Sequence, residues 1–243
     1  MNTAPALDEL LARPDVWRGG HLAGSPIPAL ASGFAVLDAE LPGGGWPRGT
    51  LTEILVDGEG FGECSLVLPA LARMREEGTW SVLVAPPYRL NAPAWAASGI
   101  DPARVVLVSS TRQHDALWAT EQALSNGTLG SVLCWTKYTD ARQTRRLQVA
   151  AAGSGTLAFM FRPLRARTES SAATLRLMLS AGPRGTLAVD LLKRRGPPCN
   201  RTLYLDVSRP QKWREDYEFS GSTLARSAPA ASSARSQRAF AFA

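Results

Sequence analysis

Cysteine is scarce in this chain and shows no pairing pattern. Cys64, Cys134 and Cys199 are odd in number, far apart and without a CxxC, and only two histidines, His21 and His114, accompany them. A disulfide framework and a zinc site are therefore not expected, and a reducing compartment fits. No apolar run approaches the ~18 residues of a membrane span. The first seventeen residues carry Asp8 and Glu9 and no basic stretch leading into an apolar one. Neither a membrane anchor nor a secretory signal is expected, which points to the cytoplasm. Lysine is nearly missing as well: only Lys137, Lys193 and Lys212 occur.

What remains is 243 residues, 45% of them hydrophobic. A chain of this length buries roughly 70% of its unfolded surface, enough for a core without covalent staples. Net charge is +6, but it is unevenly placed. Residues 1–141 hold 9 basic and 15 acidic side chains, residues 142–201 hold 12 and 2, and residues 202–243 hold 6 and 4. A concentrated basic block suits a polyanion or an acidic protein surface, and it equally suits a solvated face with no ligand.

Hydrophobic periodicity divides the chain. Residues 6–13 place Leu7, Leu10 and Leu11 on one face of a short helix ended by Pro14. Residues 19–33, rich in Gly, Pro and Ser, read as an extended connection. A helical turn over 34–41 is broken by Pro42 and three glycines. Apolar β-type runs follow at 50–56, 81–85, 105–109, 131–135 and 156–161, alternating with helical stretches at 64–77, 91–98, 113–125 and 140–152. Strands apolar on both faces that alternate with helices predict a parallel, doubly covered sheet. Runs at 174–180, 186–192 and 202–207 are joined by Gly/Pro turns too short for crossover helices, which predicts antiparallel strands. From 220 onward Ser, Ala, Arg and Pro dominate, and a disordered tail is expected. The predicted organisation is an N-terminal helix and connection over 1–33, an α/β body over 34–219 and a tail over 220–243.

The most informative stretch runs Ser32-Gly33-Phe34-Ala35-Val36-Leu37-Asp38, then Leu41-Pro42-Gly43-Gly44-Gly45-Trp46-Pro47-Arg48-Gly49-Thr50-Leu51-Thr52-Glu53-Ile54. It resembles the RecA recombinase family, in which such a string leads into the phosphate-binding loop. That resemblance implies a RecA-like fold and the pattern GxxxxGK[ST]. Here the chain reads Asp57-Gly58-Glu59-Gly60-Phe61-Gly62-Glu63-Cys64. The loop works because backbone N–H groups cradle phosphate, a lysine neutralises it and a hydroxyl holds Mg²⁺. Glu63 stands in the lysine's place and Cys64 in the hydroxyl's. Two like charges ~4 Å apart at an effective dielectric near 20 repel by about 4 kcal/mol, so nucleotide is opposed rather than merely held weakly. The resemblance further implies a water-activating acid after the second strand, where Ala85-Pro86-Pro87-Tyr88 stands, and a metal-binding Asp at the end of 131–135, where Trp135 stands. A protein without cofactor and without catalysis is expected. Residual nucleotide binding would need Lys137, Lys193 or Lys212 to reach the loop.

Further segments are similar to the ImuA-type accessory proteins of bacterial translesion DNA synthesis. They are Arg13 to Gly20, Val132 to Trp135, Ala141 to Gln148, Phe161 to Pro163 and Leu191 to Pro197. The SulA cell-division inhibitors, also RecA-like and ATP-less, share this architecture. The ImuA resemblance implies an adaptor under SOS control. Its implied partners are an ImuB-type inactive Y-family polymerase relative, an error-prone replicative-type polymerase and RecA, with no membrane. The SulA resemblance implies instead an inhibitor of the tubulin-like division protein.

Two basic clusters are the candidate contacts to DNA or a partner. Arg142, Arg145 and Arg146 share one helical face, and Lys193, Arg194 and Arg195 end a predicted strand; Arg162, Arg165 and Arg167 follow another. Leu7, Leu10 and Leu11 form a candidate docking helix. Cys64 sits where a helix N-terminus would lower a thiol pKa, although a buried spectator fits better without a nearby His. Trp80, Trp95, Trp118 and Trp135 are expected mostly in the core. The terminal Arg238-Ala239-Phe240-Ala241-Phe242 pairs a cation with two aromatics, as short docking motifs do.

Overall fold

A computed structural model describes residues 28–58 and 62–207. The docking helix with Leu7, Leu10 and Leu11, the tail and Gly60 lie outside the described residues.

The strands form where the apolar runs predict them. The segments β1 (Ala29–Leu30), α1 (Ala35–Asp38) and β2 (Trp46–Pro47) lead into β3 (Thr50–Val56). There follow α2 (Glu63–Arg73), β4 (Ser81–Val84), α3 (Ala92–Ala97), β5 (Val105–Val108), α4 (Gln113–Ser125), β6 (Ser131–Trp135) and α5 (Ala141–Ala151). Then come β7 (Leu157–Pro163), a 3₁₀ turn at Leu164–Thr168, β8 (Leu175–Ala181), β9 (Leu187–Lys193) and β10 (Leu203–Leu205). Strands β3 to β10 make one sheet in the order β10-β9-β8-β3-β7-β6-β4-β5. Six of them, from β8 to β5, are parallel, and β9 and β10 run antiparallel at one edge. This is a RecA-like α/β fold.

Alternation along β3, β4, β6 and β7 feeds two cores, and β8 to β10 add to the first of them. Ile54, Leu83, Leu133, Phe159 and Phe161 pack with α2 and Trp95 of α3 on one face. Leu51, Val82, Val84, Val132, Cys134 and Met160 pack with Leu117, Leu124 and Leu147 of α4 and α5 on the other. Helix starts are set locally. Asp140 caps α5 by accepting from Gln143 N at 2.6 Å, and the Gln143 side chain returns the bond to Asp140 N at 3.0 Å. Close packing fixes the other end of the fingerprint string: a Cβ on Gly33, whose φ is +93°, would lie 2.5 Å from the Pro69 side chain in α2.

Two ion pairs on one carboxylate tie the segment after α1 to the segment after β9. Glu40, just after α1, accepts from Arg194 at 2.6 Å and from Arg201 at 2.5 Å. Burial works against ionisation of Glu40, but the hydrogen bonds from the two arginines outweigh it and hold the carboxyl below its usual 4.5. A depressed folded pKa gives stability that is full above the unfolded value and is lost as pH falls through the folded one. Glu40→Gln is accordingly expected to lower the urea midpoint at pH 7 and to flatten its fall below about pH 4.5. An unchanged acid limb would show that the pairs contribute nothing.

Candidate functional site

The candidate site is the edge of the sheet where the parallel strands end and their loops begin. After β3 the chain turns through Gly62, in the left-handed region at φ +97°, and enters α2 with Glu63 as its first residue. The backbone thus keeps a loop-to-helix start, but its side chains do not suit phosphate. Glu63 is buried, 5% exposed, and its Oε2 has no hydrogen-bond partner. It places a carboxylate at the positive end of the helix, where an anion would otherwise gain. Half-buried Cys64 is no activated thiol. Burial, with the Glu63 charge adding to it, pushes its pKa up to about 12. A thiol reagent at pH 8 should therefore leave Cys64 of the folded protein largely unmodified and label it after unfolding in urea. Rapid labelling of Cys64 in the native state would contradict this.

At the neighbouring strand ends the two positions where acids are expected hold other residues. Ala85 follows β4 with φ +50°, an unusual value for a residue with a Cβ, fixed by a bond from its N–H to Val108 O at 2.8 Å. Trp135, at the end of β6, stacks on Phe161 with ring centroids 4.7 Å apart and planes 21° from parallel. An aromatic stack fills the position at which the resemblance implies a metal carboxylate. Among the described residues no three His, Cys, Asp or Glu side chains are placed to hold a metal ion.

The basic residues do not form one patch. Arg142, Arg145 and Arg146 are exposed on α5, which starts at this edge, whereas β9 runs antiparallel and carries Lys193, Arg194 and Arg195 toward the opposite edge. Within each cluster the roles divide again. Arg146 is held by Glu121 of α4 at 2.5 Å, Arg194 is largely buried on Glu40, and Lys193 Nζ donates to Ser171 O at 3.1 Å. Arg162 is not a surface cation at all. It is 2% exposed and bonds Glu53 at 2.7 Å, Glu169 at 2.6 Å and the Thr139 carbonyl at 3.2 Å. Arg176 of β8 completes the cluster, reaching Glu53 at 2.5 Å and Ala166 O at 2.9 Å. Glu53, fully buried, thus bridges two arginines under the 3₁₀ turn. Sequence reasoning missed this cluster, although its signal was present as lone charges inside the apolar strands TLTEILV, LAFMFRP and LRLMLSA. At the edge itself Lys137, Arg165 and Arg167 remain exposed, with the Arg165 guanidinium 4.5 Å from the Tyr138 ring centre. Trp95 is in the core as expected, but Trp118 is 57% and Trp80 44% exposed.

Comparison with known proteins follows the same outline. The family described as "Cell division inhibitor SulA" matches residues 49–158. SulA of Photorhabdus laumondii is 29% identical over 111 residues, 46% of this chain and 63% of that protein. SulA of Pectobacterium atrosepticum is 28% identical over 116 residues, 47% of this chain and 69% of that protein. RecA of Borreliella burgdorferi is 31% identical over 104 residues, 43% of this chain but 28% of the recombinase. The chain therefore spans about two thirds of its SulA relatives and under a third of that RecA. Through the part of the sheet that begins with β3, this is a SulA- and RecA-related protein.

Proposed function

We propose that the protein is a non-catalytic adaptor in SOS-induced, mutagenic translesion DNA synthesis, acting through protein contacts rather than nucleotide chemistry. The observation that carries the reading is the start of α2, where buried Glu63 replaces the charge-neutralising lysine of an ATPase loop. The stacked Trp135 supports it from the metal side. Its partners on this reading are an ImuB-type polymerase relative, an error-prone replicative-type polymerase and RecA, as the ImuA-like segments imply. Titration of the protein with Mg-ATP in a calorimeter is expected to give no binding heat. A dissociation constant in the low micromolar range would overturn the non-catalytic reading.

A second reading, inhibition of cell division, is favoured by the SulA match over residues 49–158. The two separate in cells. Deleting the gene should bring damage-induced mutation to drug resistance down to the undamaged level, and expressing it without damage should leave cell length unchanged. Filamentous cells on expression, with induced mutation intact in the deletion, would favour the division inhibitor and reject the adaptor.

A further inference from the structure

Helices α4 and α5 lie side by side on one face of the sheet. Each connects parallel strands, so both return from the same edge and run parallel to one another. Their outer surface carries two large apolar side chains in solvent, Trp118 at 57% and Val149 at 65% exposure. A shallow groove between them is lined by Leu117, Trp118, Gln143 and Leu147. Charge divides sharply by helix: α4 carries Asp115 and Glu121 with no Lys or Arg, and α5 carries Arg142, Arg145 and Arg146 with no acid. Arg146 and Glu121 pair across the groove within the chain. Among the described residues Arg142 and Arg145 have no ion pair, and Asp115 meets only His114, at 3.5 Å.

We propose that this face joins two copies of the chain in a dimer whose two-fold axis runs along the groove, so that α4 of each lies on α5 of the other. The charges select that axis. An axis across the helices would set α4 on α4 and α5 on α5, with arginines facing arginines. An axis along the groove keeps height along the helices; within the chain Gln113 reaches Tyr138 just before α5 and Glu121 reaches Arg146, so the first turn of α4 meets the start of the second copy's α5 and Asp115 comes within a turn of Arg142. One turn on, Trp118 stands opposite Arg145, where a guanidinium over an indole gains from the ring's quadrupole, and Val149 extends the apolar contact. The face is self-complementary, as an isologous interface must be. A second copy satisfies both signs on this surface, whereas a polyanion would meet Asp115 as well as the arginines.

Sedimentation velocity on the full chain from about 1 to 100 μM tests the proposal. A concentration-dependent species of twice the monomer mass is expected, and Trp118→Glu, or the milder Trp118→Gln, should weaken dimerisation at least ~10-fold, as loss of a central aromatic anchor does. Because the indole is exposed, the melting temperature should stay within about 2 °C, which separates lost contact from misfolding. Asp115→Arg alone should break the dimer, and Asp115→Arg combined with Arg142→Asp should restore it. A monomer throughout the range overturns the proposal, as does a dimer untouched by the Trp118 changes or a double variant that fails to recover. It also falls if Arg142→Glu with Arg145→Glu abolishes binding of a labelled 30-nucleotide single strand and leaves the mass unchanged, since the face would then serve nucleic acid.

Discussion

Glu53→Gln is expected to destabilise the protein by about 3–5 kcal/mol, the range for removing one partner from a buried ion pair. Glu53 is fully buried and accepts from Arg162 at 2.7 Å and from Arg176 at 2.5 Å. The amide keeps the shape and one acceptor oxygen but turns an NH₂ toward one guanidinium, and half-exposed Glu169 becomes the one carboxylate left facing the two arginines among the described residues. Urea unfolding at pH 7 measures the loss. Two controls locate it. Glu169→Gln, at a carboxylate 46% exposed, should cost under about 1 kcal/mol. Replacing Glu53, Arg162 and Arg176 together by Met, Leu and Leu should recover most of the loss, because the penalty lies in the uncompensated charges rather than in the absence of the pair. A Glu53→Gln protein as stable as the wild type would mean that water reaches the cluster.

Trp46→Ala should cost about 3–5 kcal/mol, as for other large buried aromatics. The ring is fully buried and meets Phe159 edge-on, centroids 5.2 Å apart at 90°. Its Nε1 is buried without a hydrogen-bond partner. Trp46→Phe therefore strands no acceptor and removes a dry N–H, so its cost should be within about 1–2 kcal/mol, that of the lost ring volume alone. Guanidinium titration of the two variants gives both values. Equal losses would place the energy in the indole N–H instead of the ring packing.

The strands were legible because they are short apolar runs bounded by Gly, Pro and Ser; all eight strands of the main sheet start within one residue of the apolar runs. The turn geometry of β8 to β10 was legible too, since the joins are too short for anything but antiparallel returns. What periodicity cannot carry is who neutralises whom. Arg194 looks like one member of a basic triplet, yet its partner Glu40 lies 154 residues away. Arg162 looks like the first of a basic series, yet it points into the sheet. Trp118 was readable in principle. The buried positions of α4, Ala116, Leu117, Thr120 and Leu124, trace one stripe, and Trp118 stands well off it. At the candidate site the loss of lysine and hydroxyl was plain in the sequence, but the burial of Glu63 and the Trp135–Phe161 stack needed the fold.

The buried cluster also sets a timetable for synthesis. Glu53 is separated from Arg162 by 109 residues and from Arg176 by 123. At about 5–20 residues per second, the ribosome makes the acid roughly 5–20 s before its first counter-charge exists. During that interval β3 can be buried only with the Glu53 carboxyl group unpaired. The centre of the sheet gains its ion pairs only once the strands that flank it exist, and a nascent chain halted before β7 closes on an unpaired acid.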